Sequence, residues 1–341
     1  VGVVVGVFLL MGGIVTGFIL LARGLPVDAT SDSRVFTPDR LLNPFPPMSS
    51  FRIVQATSLA ANVVRDEESV LGVVLENEAR AYPIESVKFI NNEILNDELG
   101  GHPLAITWCS RCQSGVAFDR EVDHRHLTFA VSGMLWNDNM VMYDVETGSL
   151  WSQLIGEAMS GPLKGVRLKS HPAIVTDWKT WRASHPATTV ALIERDQETI
   201  APHKQRYPPE SGDEFVVAVA RGEQAWAWSL ALLRSTLVLN DVIDGDPVVL
   251  FFNQANDTAT VFRRKRDQRI LKFELVNDRV VDSETRSEWD WTTGRATSGV
   301  LRGQSLEPVT SRLIYRTKWL RFYPNTKLRI SDPRPAKGSA S

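Results

Sequence analysis

The stretch Ile94–Glu121 reads ILNDELGGHPLAITWCSRCQSGVAFDRE, and Val238–Lys265 reads VLNDVIDGDPVVLFFNQANDTATVFRRK. Laid over one another without a gap, they match Asn96-Asp97 with Asn240-Asp241, Gly101 with Gly245, Pro103 with Pro247 and Phe118 with Phe262. The spacing is constant at 144 residues (240 − 96). Upstream, EARAYPI from Glu78 lies over QAWAWSL from Gln224. Downstream, the match resumes after a short deletion in the second copy, with Asp144 over Asp282. Trp151 then falls on Trp289, Gly156 on Gly294, Ser160-Gly161 on Ser298-Gly299 and Gly165 on Gly303. WRASHPATTV from Trp181 closes the match over WLRFYPNTKL from Trp319. A repeat of this length dominates any local propensity in deciding the architecture.

Inside each copy the pattern is mostly strand. The β-branched or aromatic runs Leu104–Thr107, Val116–Phe118, Leu127–Val131 and Met140–Tyr143 are separated by turn residues. Asp123-His124 and Thr147-Gly148 have hairpin-turn chemistry. Thr176–Ser184 reads as a short helix capped by Thr176, with Pro186 beyond its end. The expected fold is mainly β or α+β: an internally duplicated β-rich domain forming a pseudo-two-fold pair, preceded by an N-terminal transmembrane helix. The expected boundaries are an anchor at 1–23, an extension at 24–69, repeat 1 at 70–194, a polar proline-bearing linker at 195–214, repeat 2 at 215–330 and a disordered tail at 331–341. At 341 residues the chain can hold two domains with separate cores. The paired tryptophans Trp151/Trp289 and Trp181/Trp319 read as packing residues.

The anchor rests on Val1–Ala22, which holds no charged residue and as a helix spans roughly 33 Å, enough for a bilayer core. A secretory signal peptide with cleavage near Val27-Asp28-Ala29 is the rival, but its apolar region is usually shorter. Flanking charges of both signs leave orientation unread. Gly2, Gly6, Gly13 and Gly17 share one helical face as two Gly-x-x-x-Gly pairs, the spacing through which membrane helices form a homodimer. A net charge of −2 gives no electrostatic footprint for nucleic acid.

The chain has two cysteines, Cys109 and Cys112, too few for a disulfide framework. The repeat supplies a control, because Cys109 lies over Asn253 and Cys112 over Asn256. The same turn therefore forms without cysteine, and only the first copy carries sulfur chemistry. Three readings stay open: an inert disulfide or two buried thiols, a metal site, and thiol redox. The sequence Trp108–Cys112 superficially resembles the thioredoxin motif, but Ser114–Phe118 reads as a strand rather than the helix that motif needs, although Arg111 would favour a thiolate. The metals in view are copper and zinc. Zinc asks for four ligands, whereas two sulfurs with a methionine such as Met142 suit copper(I). Met134, Met140 and Met142 lie in the same copy but read first as core. His124 and His126, opposite Gln268 and Ile270, read as surface or packing residues. Asp144 and Glu146 recur as Asp282 and Glu284 beside a turn, which fits turn chemistry better than acid–base work. Asp119 and Glu157 are the other carboxylates near the cysteine turn. Trp136, Asn137, Asp138 and Asn139 lie where the second copy has its deletion, so they are candidate neighbours of the cysteine site.

EARAYPI, NDELGGHPLAITWCSRCQSGVAFDR, VSGMLWNDNMVMYD, GSLWSQLIGEAMSGPL and FYPNTKL together resemble the domain-of-unknown-function 3179 family, over roughly residues 38–330. The resemblance implies an N-terminal membrane or export segment and an extracytoplasmic soluble part; it supplies no reaction. The family pattern tends to read Tyr-Cys-Pro-x-Cys-Gly. Here it is Trp108-Cys109-Ser110-Arg111-Cys112-Gln113, and Asn92 stands where the family often has histidine. The expectation is an extracytoplasmic protein that binds a soft metal or cycles thiols at Cys109 and Cys112. The alternative is a non-catalytic ligand-binding or scaffold module with an inert disulfide.

Overall fold

In a computed structural model of the chain, which describes residues 44–60, 63–88, 91–193, 213–266 and 268–330, the quoted stretch forms a three-stranded meander. Ile94–Leu99 pairs with His102–Cys109 through Gly100-Gly101, both left-handed at φ +58° and +76°, as a two-residue hairpin turn demands. His102–Cys109 then pairs with Ser114–Asp119, with Cys109 opposite Ser114. The middle strand is buried on both faces, which is why it reads as one apolar run. Leu104, Ile106 and Trp108 face one core cluster, and Ala105 and Cys109 face another. The second stretch does the same: Val238–Ile243, Asp246–Asn253 and Thr258–Arg263, with Asn253 opposite Thr258.

Mostly strand and gathered into small sheets, the chain repeats its element order. Each meander gains a fourth short strand, Ser170–His171 in one half and Glu307–Pro308 in the other. Each half also has a second sheet. In the first half it runs Arg52–Gln55, Thr189–Leu192, Glu78–Pro83, Ser69–Leu75, Ala173–Asp177; in the second it runs Lys327–Arg329, Gln224–Ser229, Phe215–Arg221, Arg312–Tyr315. One parallel pairing occurs at the same place in both, Thr189 with Arg80 and Lys327 with Trp226. Side-chain bonds recur too. Asn96 exchanges two bonds with the Phe129 backbone, as Asn240 does with Phe273. Trp151 Nε1 donates to Asp144 at 2.8 Å, and Trp289 Nε1 to Asp282 at 2.9 Å. Trp181 donates to Thr188 and Trp319 to Thr326, both at 2.9 Å. These tryptophans are buried, as expected of packing residues. Asp144 and Asp282 also accept from the turn residues Thr147 and Thr285, which is the turn chemistry anticipated.

Four short helices are present: α1 (Ile84–Val87), α2 (Trp178–Ser184), α3 (Leu230–Thr236) and α4 (Arg316–Phe322). Thr176 does not cap α2. It lies buried at the end of a strand, and its hydroxyl accepts from Thr258, while the Asp177 carboxylate caps the helix by accepting from the Thr180 backbone. The cores are not separate either. One cluster draws Phe118, Phe129, Met142 and Trp151 from the first half together with Val216, Ala218, Ile314 and Trp319 from the second. The described residues all fall within one compact unit. Part of the expected extension belongs to it, since Arg52–Gln55 forms the edge strand and Met48 bridges to Leu95. The expected anchor and its glycines, most of the linker and the tail lie outside the described residues; among those described, no helix is long and apolar enough to cross a membrane.

Candidate thiol site

Cys109 ends its strand and Cys112 lies in the turn that follows, Ser110–Gln113. Both are buried and unbonded, so neither thiol is in a disulfide. The turn closes because Gln113 adopts φ +54°, the left-handed geometry that favours glycine, at the position where the family pattern has glycine. Its side chain donates to Ser110 O at 2.6 Å, while Ser110 N donates to the Glu93 carboxylate at 3.0 Å.

Cys112 Sγ lies 3.0 Å from Asn139 Nδ2 and 3.3 Å from Ser114 Oγ. The Asn139 amide is held at all points. Its Oδ1 accepts from Leu154 N at 3.0 Å, and one N–H of Nδ2 goes to Gln153 Oε1 at 2.8 Å, which leaves the other for the sulfur. Gln153 Nε2 in turn donates to Thr107 Oγ1 at 2.9 Å. Burial pushes both thiols up, but hydrogen bonds from Cys109, Ser114 and Asn139 outweigh it at Cys112 and bring that thiol below its ordinary value. Cys109, pushed up by burial and by its neighbour, stays protonated. Burial also raises the Glu93 carboxyl, and its negative charge works against the Cys112 thiolate. The pair is thus an asymmetric dithiol, with Cys112 the thiolate side.

Asn139 reaches the sulfur because the hairpin that carries it is longer in this half. Phe129–Trp136 and Asn139–Asp144 have 8 and 6 residues, against 4 and 4 in Phe273–Val276 and Arg279–Asp282. The same extension brings in the other anticipated neighbours. Asp138 pairs with Arg111 at 2.8 Å and also accepts from Lys318 at 2.5 Å and Arg321 at 3.1 Å. Asn137 bonds to the Arg321 carbonyl, and Trp136 meets Phe322 edge-on at 5.0 Å. These residues fasten the cysteine turn to α4 rather than touching sulfur. Met142 is core, paired with Val131 and Trp151 across its sheet. His124 and His126 are exposed beside Glu121. Among the described residues no group of three or more His, Cys, Asp or Glu side chains is gathered as a metal cage.

Sequence reasoning missed Glu93, Thr107, Ser114 and Gln153. The repeat held the signal for most of them, because their counterparts are Leu237, Phe251, Thr258 and Trp291, so three polar groups around the thiols become apolar in the half without them. In that half Asn256 bonds to Thr176 and Thr180, joining its turn to α2 of the first half. Reciprocally, Cys112 O accepts from Tyr315 N, just before α4.

A family model described as a protein of unknown function, DUF3179, matches residues 44–326. The chain belongs to the DUF3179 family. No curated protein and no solved structure matches it. The DUF3179 region spans both halves, so the cysteine turn, the long hairpin and α4 all fall inside it.

Proposed function

We propose that this DUF3179 chain is a thiol redox protein in which Cys112 and Cys109 cycle between dithiol and disulfide. The observation that carries the reading is the bond from Asn139 to Cys112, because two features special to the first half, the cysteines and the longer hairpin, meet there. The Cys112 thiolate attacks one sulfur of a small disulfide and releases a thiolate. Cys109 then attacks the Cys112 sulfur, its proton leaving with the second thiolate, so two electrons and one proton leave the pair. Burial of both sulfurs favours a small oxidant over a folded protein substrate.

A second reading is copper(I) held by the two sulfurs, favoured by two soft donors side by side in a buried cluster. Zinc is less suited, because its closed sites take four ligands. Metal content and thiol titration of the protein, purified with and without reductant, separate these readings: stoichiometric copper lost in Cys109→Ser/Cys112→Ser supports the metal, and reversible loss of two thiols supports redox.

The recurring element order and side-chain bonds support an internal duplication, with one half keeping the thiols. The apolar segment at 1–23 acts in this reading as an uncleaved anchor that places the rest outside the cytoplasm, where disulfides form and persist. Gly2, Gly6, Gly13 and Gly17 then pair two copies. Membrane fractionation with external protease tests the placement, and cross-linking that finds only monomer would remove the pairing.

A further inference from the structure

Outside the thiol site, the described residues enclose a cleft of about 800 Å³ between the two halves, within the usual range for small-molecule sites. One wall is the strand Ala173–Asp177 and the end of α2; the other is Thr258–Arg263 and the loop that carries Thr293 and Arg295. The repeat again supplies a control. With the downstream spacing of 138 residues (282 − 144), the counterparts of Ile174, His185, Thr293, Arg295 and Ser305 are Arg312, Tyr323, Ile155, Glu157 and Arg167. On that side Arg312 is buried, Tyr323 stacks at 4.5 Å on Trp319, and Arg167 pairs with Glu157 at 2.6 Å. On the open side His185 packs on Trp181 at 4.1 Å as Tyr323 does on Trp319, but the buried arginine and the arginine–glutamate pair have no equivalent. Its arginine, Arg295, is exposed and has no carboxylate at ion-pair distance among the described residues, because Ser305 and Arg295 stand where the other half has its arginine and glutamate.

The lining is mixed in a definite way. Ile174, Val261 and Leu306 give an apolar wall, and Arg295, Thr293 and His185 bring donors to it. Asp290 is largely turned to its own loop, accepting from Thr292 N, Thr293 N and Thr293 Oγ1. All three bonds fall on Oδ1, so Arg295 is the cation of a lining that also holds the Asp290 carboxylate.

We propose that this cleft binds a small organic carboxylate, its anionic end on Arg295 and its apolar body against Ile174, Val261 and Leu306. The binding site is then shared by the two halves and separate from the thiols. The test is calorimetric titration of the full chain with benzoate, with its neutral amide benzamide and with inorganic phosphate, repeated on Arg295→Gln. Arg295 is exposed, so the variant should keep the parent's melting temperature. The expected result is benzoate binding that weakens about ten-fold in Arg295→Gln, as loss of one charge-assisted contact implies. Benzamide should bind about ten-fold more weakly than benzoate and be unaffected by the substitution. No benzoate binding, equal binding of benzoate and benzamide, or binding of phosphate alone overturns the proposal.

Discussion

Asn139 reports on the thiol pair because its amide cannot turn: Leu154 N fixes its oxygen and Gln153 takes one of its N–H groups. Replacing it with leucine removes a donor from Cys112 and strands polar partners, so Asn139→Leu should raise the Cys112 titration midpoint and cost about 1–3 kcal/mol. Thiolate absorbance against pH and urea unfolding read the two effects. Asp138 makes a separate prediction. Partial burial opposes its ionisation, but Lys318 and Arg111 hold its carboxyl down at about 2. A depressed carboxylate stabilises the fold fully above its unfolded value, roughly 3.9, and loses that contribution as pH falls through about 2. With Arg111 and Arg321 exposed and solvent screening, Asp138→Asn should cost only about 1 kcal/mol near neutral pH and almost nothing at the acid end. Unfolding midpoints across that range check it. The cysteines and Asp138 were legible from the internal comparison alone. Glu93 and Gln153 also differ from their counterparts, Leu237 and Trp291, but that they reach the thiols was not legible, because it depends on sheet register.

Hairpins carry this fold, and their turns set its weak points. Gly294 has φ +63°, and a Cβ there would sit 2.5 Å from the Phe262 ring; Gly156 has φ +74° and the same conflict with Phe118. Gly148, at φ +68°, has nothing within 4 Å. Gly294→Ala and Gly156→Ala should each cost more than about 2 kcal/mol, because strain and overpacking add, whereas Gly148→Ala should cost about 1 kcal/mol from strain alone. Urea midpoints of the three variants would show the ranking, and equal costs would contradict it. The strands were legible because apolar runs broken by turn residues survive any packing. Helices α1, α3 and α4 were not anticipated: they span only 4 to 7 residues, too short for a helical period to stand out. The α2 cap was misplaced by one residue because Thr176 and Asp177 are both good caps, and burial of Thr176 against Thr258 decided between them.

At the scale of the molecule, the halves are bound by a common core and by exchanged contacts, the cysteine turn meeting the start of α4 and the Asn256 turn meeting α2. Cut at 194–212, neither half should unfold cooperatively alone, because each would expose its share of the core that holds both Trp151 and Trp319. Circular dichroism of the separate halves tests this; a cooperative melt of either would contradict it. Strand content was readable from the sequence, but the shared core was not, because matched spacing describes each half and not how the two meet. The central claim, a thiol pair polarised toward Cys112, is tested most directly by redox titration of the full chain with free-thiol counting and metal analysis. The account predicts two thiols lost and regained in one reversible two-electron step without metal. Because Asn139 stabilises the reduced thiolate, Asn139→Leu should move the midpoint about 30 mV more negative. Stoichiometric copper, or thiols that stay free through the whole range of potentials, would contradict it.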